Sequence, residues 1–354
     1  MLLAASAALA LSLPLAAQDT AKPVALAPSE IVAAAPKADW VAIPAEDLLV
    51  MTLGPDAEGK PRQVVIQLMP APFSQGWVHN IRLFARAKWY DGISVNRVQD
   101  NYVTQWGDPN YDNPEATGKP KPLPKGLKVM GEAEYVATNR QAAIAMIKRS
   151  GVSISDSNDD DEVTSKARSL YAEAALQSTE SMGRITSLDP YAHRATFSSG
   201  WPVAQAGDDF DSSIWPTHCY GMVGVGRNYS PDTGSGAELY TVIGHAPRHL
   251  DRNIALVGRV IEGMQHLSSL PRGLGALGFY TAEESAKRTP ILSVRVASDL
   301  APAEQPAFEY LSTESATFAT YAEAIANRRD PFFIVPAGGA DICNIRVPVR
   351  RVAG

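Results

Sequence analysis

The sequence lacks a Lys/Arg-rich block and, beyond its first seventeen residues, any long apolar run. Its formal net charge at pH 7 is -6, whereas binding to nucleic-acid phosphates needs concentrated positive charge, so a nucleic-acid partner is excluded. A membrane-spanning helix needs about 20 consecutive apolar residues, and none is expected here. The chain also lacks a G-x-S-x-G elbow and a Walker loop, so a hydrolase function has no support.

One segment is similar to a protease motif but lacks its required partner. The Asp-Thr-Gly-Ser sequence at 232–235 resembles the active-site loop of aspartic proteases. That chemistry needs two carboxylates that share one proton, and the chain has no second Asp-Thr-Gly or Asp-Ser-Gly sequence. We therefore interpret 232–235 as a surface turn.

Neither of the two metal-like patterns predicts a metal site. His245 and His249 have a zinc-ligand spacing if helical, but Pro247 between them disfavours a helix. The sequence at 156–160 is similar to the start of a calcium loop, but Asp161 stands where such a loop needs glycine. The acidic residues there are better explained as a solvated helix cap. We expect no bound metal and no cofactor.

The first residues, MLLAASAALALSLPLAA, form an apolar run that ends in small residues. This pattern is typical of a secretory signal peptide over 1–17, and it predicts a periplasmic or secreted protein. Residues 18–44 are Ala/Pro-rich and indicate a linker or a loosely held N-terminal arm. In an oxidising compartment Cys219 and Cys343 could form a disulfide, although two separate buried thiols fit the sequence equally well.

Short β-branched segments dominate the rest of the chain. LLVMTL and RQVVIQL, joined by a glycine-containing turn, predict an antiparallel hairpin. Trp77, Ile81, Phe84 and Ala85 recur at helical spacing. Further strands are expected at ISVNRV, YVTQWGD, GMVGVGR, ELYTVIG, ALVGRVI, ILSVRVA and DICNIRVPV, and further helices at 140–150, 162–183 and 315–327. The pattern indicates a closed or sandwiched β core interrupted by a helical insertion.

Two blocks of sequence resemble the cyclophilin family. The first runs from Val64 to Pro109 and includes Asn80, Tyr-Asp-Gly at 90–92, Val-Asn-Arg-Val-Gln at 95–99 and a Gln-Trp-Gly-Asp-Pro ending. The second contains GMVGVGR and GSGAELYTVIGHAPRHLDRNIALVGRVIEGM. The resemblance implies a mainly β fold, a closed antiparallel barrel capped by two helices, over residues 45–300. A loop and helical insertion would occupy about 109–217, and 301–354 would be a C-terminal extension.

By this resemblance Arg97 is the catalytic group of a peptidyl-prolyl cis/trans isomerase. The remaining implied site residues bind the proline ring and the flanking peptide: Tyr102, Val103, Gln105, Gly226, Glu238, Tyr240, Leu250 and Ile254. Several depart from the family pattern, because Tyr102 and Tyr240 replace phenylalanines and Ile254 replaces a histidine. The implied partners are proline-containing peptides or unfolded exported proteins. The alternative is a cyclophilin-like binding or chaperone module with weak turnover.

Overall fold

The computed structural model describes residues 25–111, 113–149, 163–169, 171–172 and 189–352. The predicted signal peptide over 1–17 lies outside these residues, and so do the calcium-like segment at 156–160 and part of the helix predicted over 162–183. In the described part of that helix, 163–169 and 171–172 are helical. No helix in the described ranges is long and apolar enough to cross a bilayer.

The described chain is mainly β. The named helices are α1 (Pro28–Ala33), α2 (Gln75–Arg86), α3 (Asn139–Arg149), α4 (Gln265–Ser268) and α5 (Ala316–Ala326). The strands are β1 (Trp40–Ala42), β2 (Leu48–Leu53), β3 (Arg62–Leu68), β4 (Ser94–Val98), β5 (Val103–Gly107), β6 (Ala137–Thr138), β7 (Arg194–Ser198), β8 (Trp201–Gln205), β9 (Ser213–Pro216), β10 (Met222–Val225), β11 (Leu239–Val242), β12 (Leu256–Glu262), β13 (Ile291–Val296), β14 (Phe308–Leu311) and β15 (Val349–Arg351).

Eight antiparallel strands form the barrel, in the order β13-β2-β3-β12-β10-β11-β5-β4. Its two outer strands meet: the backbone N–H of Ile291 donates to the Ile93 carbonyl at 2.8 Å, and that of Val95 donates to the Thr289 carbonyl at 2.9 Å. Closure removes the unpaired strand edges that an open sheet would leave. The predicted mainly β fold and closed antiparallel barrel are confirmed.

Strand β2 is apolar on both faces because both faces are covered. Leu49 and Met51 belong to the main core inside the barrel. Leu48 and Val50 point the other way and pack with Phe308 of β14. The continuous run LLVMTL therefore differs from the alternating pattern of a half-exposed strand because the C-terminal extension shields the outside of the barrel.

Helix α2 covers the barrel core with one apolar side. Trp77, Val78, Ile81, Phe84 and Ala85 are each at most 1% exposed and pack into the main core. The helix predicted from their spacing is thus present, over Gln75–Arg86. A second, much shorter helix, α4, adds Leu267 to the same core.

The two ends of the described chain meet in one small sheet. Strand β1 pairs with β14, which pairs with β15, and α1 packs against α5. Of the two alternatives for 18–44, a linker or an N-terminal arm, the described part forms a packed arm, in which Trp40 joins the core of the extension. The strand predicted at DICNIRVPV is wrong over most of its length: Ile342–Asn344 is a 3₁₀ turn, begun by the Asp341 carboxylate that accepts the Cys343 N–H.

The insertion contains more than helix. Strands β6 to β9 form a separate four-stranded sheet in the order β6-β9-β8-β7. The sequence did not suggest these strands because Pro202 and Pro216 lie within them, and proline is normally confined to the edges of sheets or to irregular positions. The expected loop and helical insertion therefore also contains a sheet that was not predicted, and α3 confirms the helix predicted over 140–150.

Candidate active site

A β-bulge directs Arg97 to the outside of the barrel. The register between β4 and β5 shifts between Val95 and Arg97, and a bulge changes which face each following side chain occupies. Val95 and Val98 consequently both enter the core, where each is 0% exposed, whereas Arg97 remains partly exposed. The strand thus supplies two core valines and still presents a guanidinium outward.

Three hydrogen bonds hold the Arg97 guanidinium. Its Nε donates to the Leu277 carbonyl at 2.7 Å, one terminal nitrogen donates to Gln105 Oε1 at 3.1 Å, and the other donates to Gln99 Oε1. These bonds use three of the five N–H donors of the group. The cation is therefore fixed in orientation while retaining donors for a further partner.

Two aromatic rings flank the same guanidinium. Its central carbon lies 5.6 Å from the ring centroid of Tyr102 and 5.5 Å from that of Phe279, within the range of cation–π attraction. Burial lowers the pKa of Arg97 and raises that of Tyr102. A guanidinium nevertheless remains charged in proteins, so the site presents a partly dehydrated cation, which acts more strongly than a hydrated one.

Arg97, Gln105, Tyr240 and Gly224 form one row of cross-strand partners. Arg97 pairs with Gln105, Gln105 with Tyr240, and Tyr240 with Gly224. Directly opposed residues on neighbouring strands share a face of the sheet. The Tyr240 ring leans over Gly224, where a side chain would collide with it. The register therefore aligns the cation, an amide and an aromatic ring on the outer face of the barrel.

An apolar cluster adjoins this row. Val103, Tyr240 and Val242 form its buried part, and Tyr102 and Ile254 pack against them. Four predicted pocket residues are thus together. Val103 is 2% exposed and Tyr240 4%, so only a small part of either side chain is accessible to a ligand.

Leu250 stands apart from that cluster. It is half-buried in the 3₁₀ turn Arg248–Leu250, and its carbonyl accepts the Ile254 N–H at 3.2 Å. Leu250 was predicted to line the proline pocket, but in the structure it is connected to the apolar cluster only through its neighbour Ile254.

A polar pair lies on the other side of Gln105. The Gln105 amide nitrogen is 3.4 Å from Glu238 Oε2, and both residues are more than 90% buried. The Glu238 side chain occupies the space over Gly107 that a side chain there would fill. Gly226 donates its N–H to the Glu238 carbonyl at 2.9 Å and is partly exposed. The predicted peptide-binding residues Gln105, Glu238 and Gly226 are thus neighbours.

Four residues that contact the site had not been identified from the sequence. Leu277 and Phe279 come from a glycine-rich loop about 180 residues after Arg97, and Gln99 directly follows the end of β4. His218 lies behind Tyr240, with its Nε2 2.9 Å from the Tyr240 hydroxyl. Gln99 lies two residues after Arg97, and the alternation of side chains along extended backbone could have suggested it. The other contacts involve loops, whose positions cannot be predicted from local sequence patterns.

The protease-like and zinc-like motifs take no part in the site. Asp232 accepts N–H bonds from Asn228 and Gly234, and the Thr233 hydroxyl donates to the Met130 carbonyl, as in an ordinary turn. His245 and His249 are both exposed. Among the described residues, no group of three or more His, Cys, Asp or Glu side chains could hold a metal ion.

Cys219 and Cys343 are joined by a disulfide that links the barrel to the C-terminal extension. Their Cα atoms are 5.0 Å apart, and 124 positions separate them in the sequence. Cys219 directly follows His218, so the crosslink fixes the backbone next to the histidine behind Tyr240.

Comparison with known proteins identifies the type of domain. Residues 62–166 match the family model described as cyclophilin type peptidyl-prolyl cis-trans isomerase/CLD. The structure is similar to the crystal structure of cyclophilin AquaCyp293 from Hirschia baltica, with a TM-score of 0.56 and 19% sequence identity. That match covers 88% of this chain and 93% of the other. No curated protein matches the sequence.

The family match and the structural match both agree with the barrel topology. Residues 62–166 thus match a cyclophilin-type peptidyl-prolyl cis-trans isomerase domain, and the described chain around them has a cyclophilin-like fold.

Proposed function

We propose that the chain catalyses cis/trans isomerisation of X-Pro bonds, with Arg97 as the group that stabilises the twisted amide. The observation that carries the proposal is the row of Arg97, Gln105 and Tyr240, which places a fixed cation beside an apolar cluster. The proline ring would lie against Tyr102, Val103, Tyr240 and Ile254.

The chemistry requires no nucleophile. Resonance gives the prolyl amide a rotation barrier of about 18–20 kcal/mol, and twisting it returns a lone pair to the proline nitrogen. A donor aimed at that nitrogen stabilises the twisted state more than either planar state, and such differential stabilisation lowers the barrier. Arg97 suits this role because its cation is partly dehydrated and is held in place by three hydrogen bonds.

The proposed substrates are proline-containing segments of unfolded exported proteins. Gln105, Glu238 and the backbone at Gly226 would bind the residues that flank the proline. The apolar first seventeen residues support export, and the Cys219–Cys343 disulfide suits an oxidising compartment such as the periplasm.

A proline-isomer exchange assay on a short peptide tests the proposal. Arg97→Ala should reduce kcat/KM at least about 100-fold, a typical loss for one preorganised donor, while peptide binding is retained. Arg97→Lys keeps the charge but loses the planar guanidinium and its several N–H donors, so its kcat/KM should lie between those of Arg97→Ala and the unmodified protein. Unchanged turnover in Arg97→Ala would overturn the role of Arg97.

One observation favours a second function, a peptide-binding or chaperone module with weak turnover. Val103 and Tyr240 are nearly covered, whereas Phe332, Ile334 and Val335 in the extension are 85%, 95% and 76% exposed. Exposed apolar stretches of this kind are typical of protein-binding surfaces. Absence of turnover by the intact protein, together with suppression of client aggregation that Phe332→Ser weakens, would support this second function.

A further inference from the structure

The hydroxyl of Tyr240 points away from the apolar cluster and into the protein. It lies 2.9 Å from Nε2 of His218, and the two rings are nearly parallel, 6.4 Å apart. His218 is 0% exposed and Tyr240 4%. A buried tyrosine hydroxyl needs a hydrogen-bonding partner, and this histidine provides it.

The surrounding bonds fix which atom carries the proton. Asp251 Oδ1 lies 2.9 Å from both the backbone nitrogen and Nδ1 of His218. As a carboxylate paired with Arg248, Asp251 can only accept hydrogen bonds. Nδ1 therefore carries the hydrogen, Nε2 presents its lone pair, and the Tyr240 hydroxyl donates to it.

A chain of buried ionic groups holds this histidine. Arg248 Nε donates to Asp251 Oδ2 at 2.6 Å, and its other side contacts Asp189 at 2.8 Å. The side chains of Arg248, Asp251 and Asp189 are each at most 4% exposed. Cys219, the next residue after His218, is tied to Cys343. Side chain and backbone of His218 are thus both restrained.

Resting on the function proposed above, we propose that His218 is a positioning residue for the proline pocket. By accepting the Tyr240 hydroxyl, it fixes the tyrosine ring over Gly224 and directs the polar end of Tyr240 away from the bound proline. The pocket can then present an apolar ring face although the residue is a tyrosine.

The expected kinetic signature is a change in substrate binding. Without this hydrogen bond the Tyr240 ring is mobile and must be ordered whenever substrate binds. The free-energy cost of ordering it is the same for the planar and the twisted prolyl amide. Such a uniform cost raises KM and leaves kcat unchanged. Loss of one hydrogen bond corresponds to a change of about five-fold. We therefore expect His218→Gln and Tyr240→Phe each to raise KM about five-fold.

The two substitutions should not be additive, because each removes the same interaction. The double variant should therefore match Tyr240→Phe in KM. The matched control is His193→Gln, which alters a solvent-exposed histidine 3.0 Å from Asp208 and should change neither KM nor kcat. Additive effects, or an unchanged KM in Tyr240→Phe, would overturn the proposal. If His218→Gln fails to fold, Tyr240→Phe alone decides, since it removes only a hydroxyl.

Two further measurements separate this proposal from the proposed function. Affinity for a proline peptide, measured by titration calorimetry, should fall about five-fold in Tyr240→Phe even if the intact protein shows no turnover. The ¹⁵N chemical shifts of His218 report its tautomer directly. A hydrogen on Nε2 would refute the positioning role without affecting the case for isomerase activity.

Discussion

Arg97 and Tyr240 flank Gln105 in a single row of cross-strand partners, although 143 positions separate them in the sequence. Their proximity follows from barrel topology, because β11 pairs with β5 and β5 pairs with β4. A cation and an aromatic ring are thereby held at a separation set by strand spacing, which is far less variable than loop geometry.

Gln105 should prove important as a support for Arg97. In Gln105→Leu the guanidinium loses one of its three hydrogen bonds, and bonds to charged groups are worth about 1.5–3 kcal/mol. We expect kcat/KM in the peptide exchange assay to fall about ten-fold or more. Gln63→Leu alters an exposed glutamine of β3 and should leave the rate unchanged. Equal rates in Gln105→Leu and the unmodified protein would contradict this prediction.

Gly224 should tolerate no side chain. In Gly224→Ala the new methyl would collide with the Tyr240 ring, so the ring must shift away from β10. We expect weaker binding of proline peptides and a loss of about 1–3 kcal/mol in the free energy of unfolding. Gly131→Ala places a methyl in open space and serves as the control. Denaturant unfolding and calorimetry measure the two effects, and normal peptide affinity in Gly224→Ala would count against the described ring position.

The disulfide should contribute substantially to stability. Closing a loop of 124 residues lowers the entropy of the unfolded chain, and such crosslinks typically contribute about 2–5 kcal/mol. The variant with both Cys219→Ala and Cys343→Ala should lose that much in the free energy of unfolding. Reductant should lower the Tm of the unmodified protein but not that of the variant. Identical Tm values for both proteins under oxidising conditions would refute the prediction.

Stability should decline in mild acid because of His218. Burial lowers its pKa below the ordinary 6.5, and its hydrogen bond to Asp251 offsets this only in part. The groups that face it are Tyr240, Asp251, Arg248 and His249. The unfolded chain takes up a proton below pH 6.5 whereas the folded chain does not, so the free energy of unfolding falls as pH drops.

This acid dependence is measurable by denaturant unfolding between pH 5 and 8. The slope contributed by one histidine cannot exceed about 1.4 kcal/mol per pH unit; it should appear below pH 6.5 and vanish above about 7.5. It should be reduced in His218→Gln, while His193→Gln, an exposed site, should retain it. An unchanged slope in His218→Gln would show that other groups cause it.

The sequence predicted the barrel well because its strands are short, β-branched and separated by turns. The site residues Arg97, Gln105, Tyr102, Val103, Tyr240 and Ile254 were grouped only through the resemblance to the cyclophilin family, because no local pattern in the sequence relates residues on different strands. The sequence could not place Phe279 or Leu277, because their loop contacts Arg97 from about 180 positions away and contains neither a strand nor an α-helix to indicate its path. Nor could it connect His218 with Asp251, because this contact joins two irregular segments 33 residues apart.

Closure of the barrel by β13 has a consequence for biosynthesis. Strand β2 is synthesised early, but its partner β13 ends only at Val296. The hydrogen bonds that close the barrel beside β4 also need late residues, Thr289 and Ile291. A growing chain therefore carries two uncovered strand edges until most of its length has left the ribosome. Such edges pair readily with other chains, so a holding chaperone that keeps the nascent polypeptide extended should raise the yield of native protein.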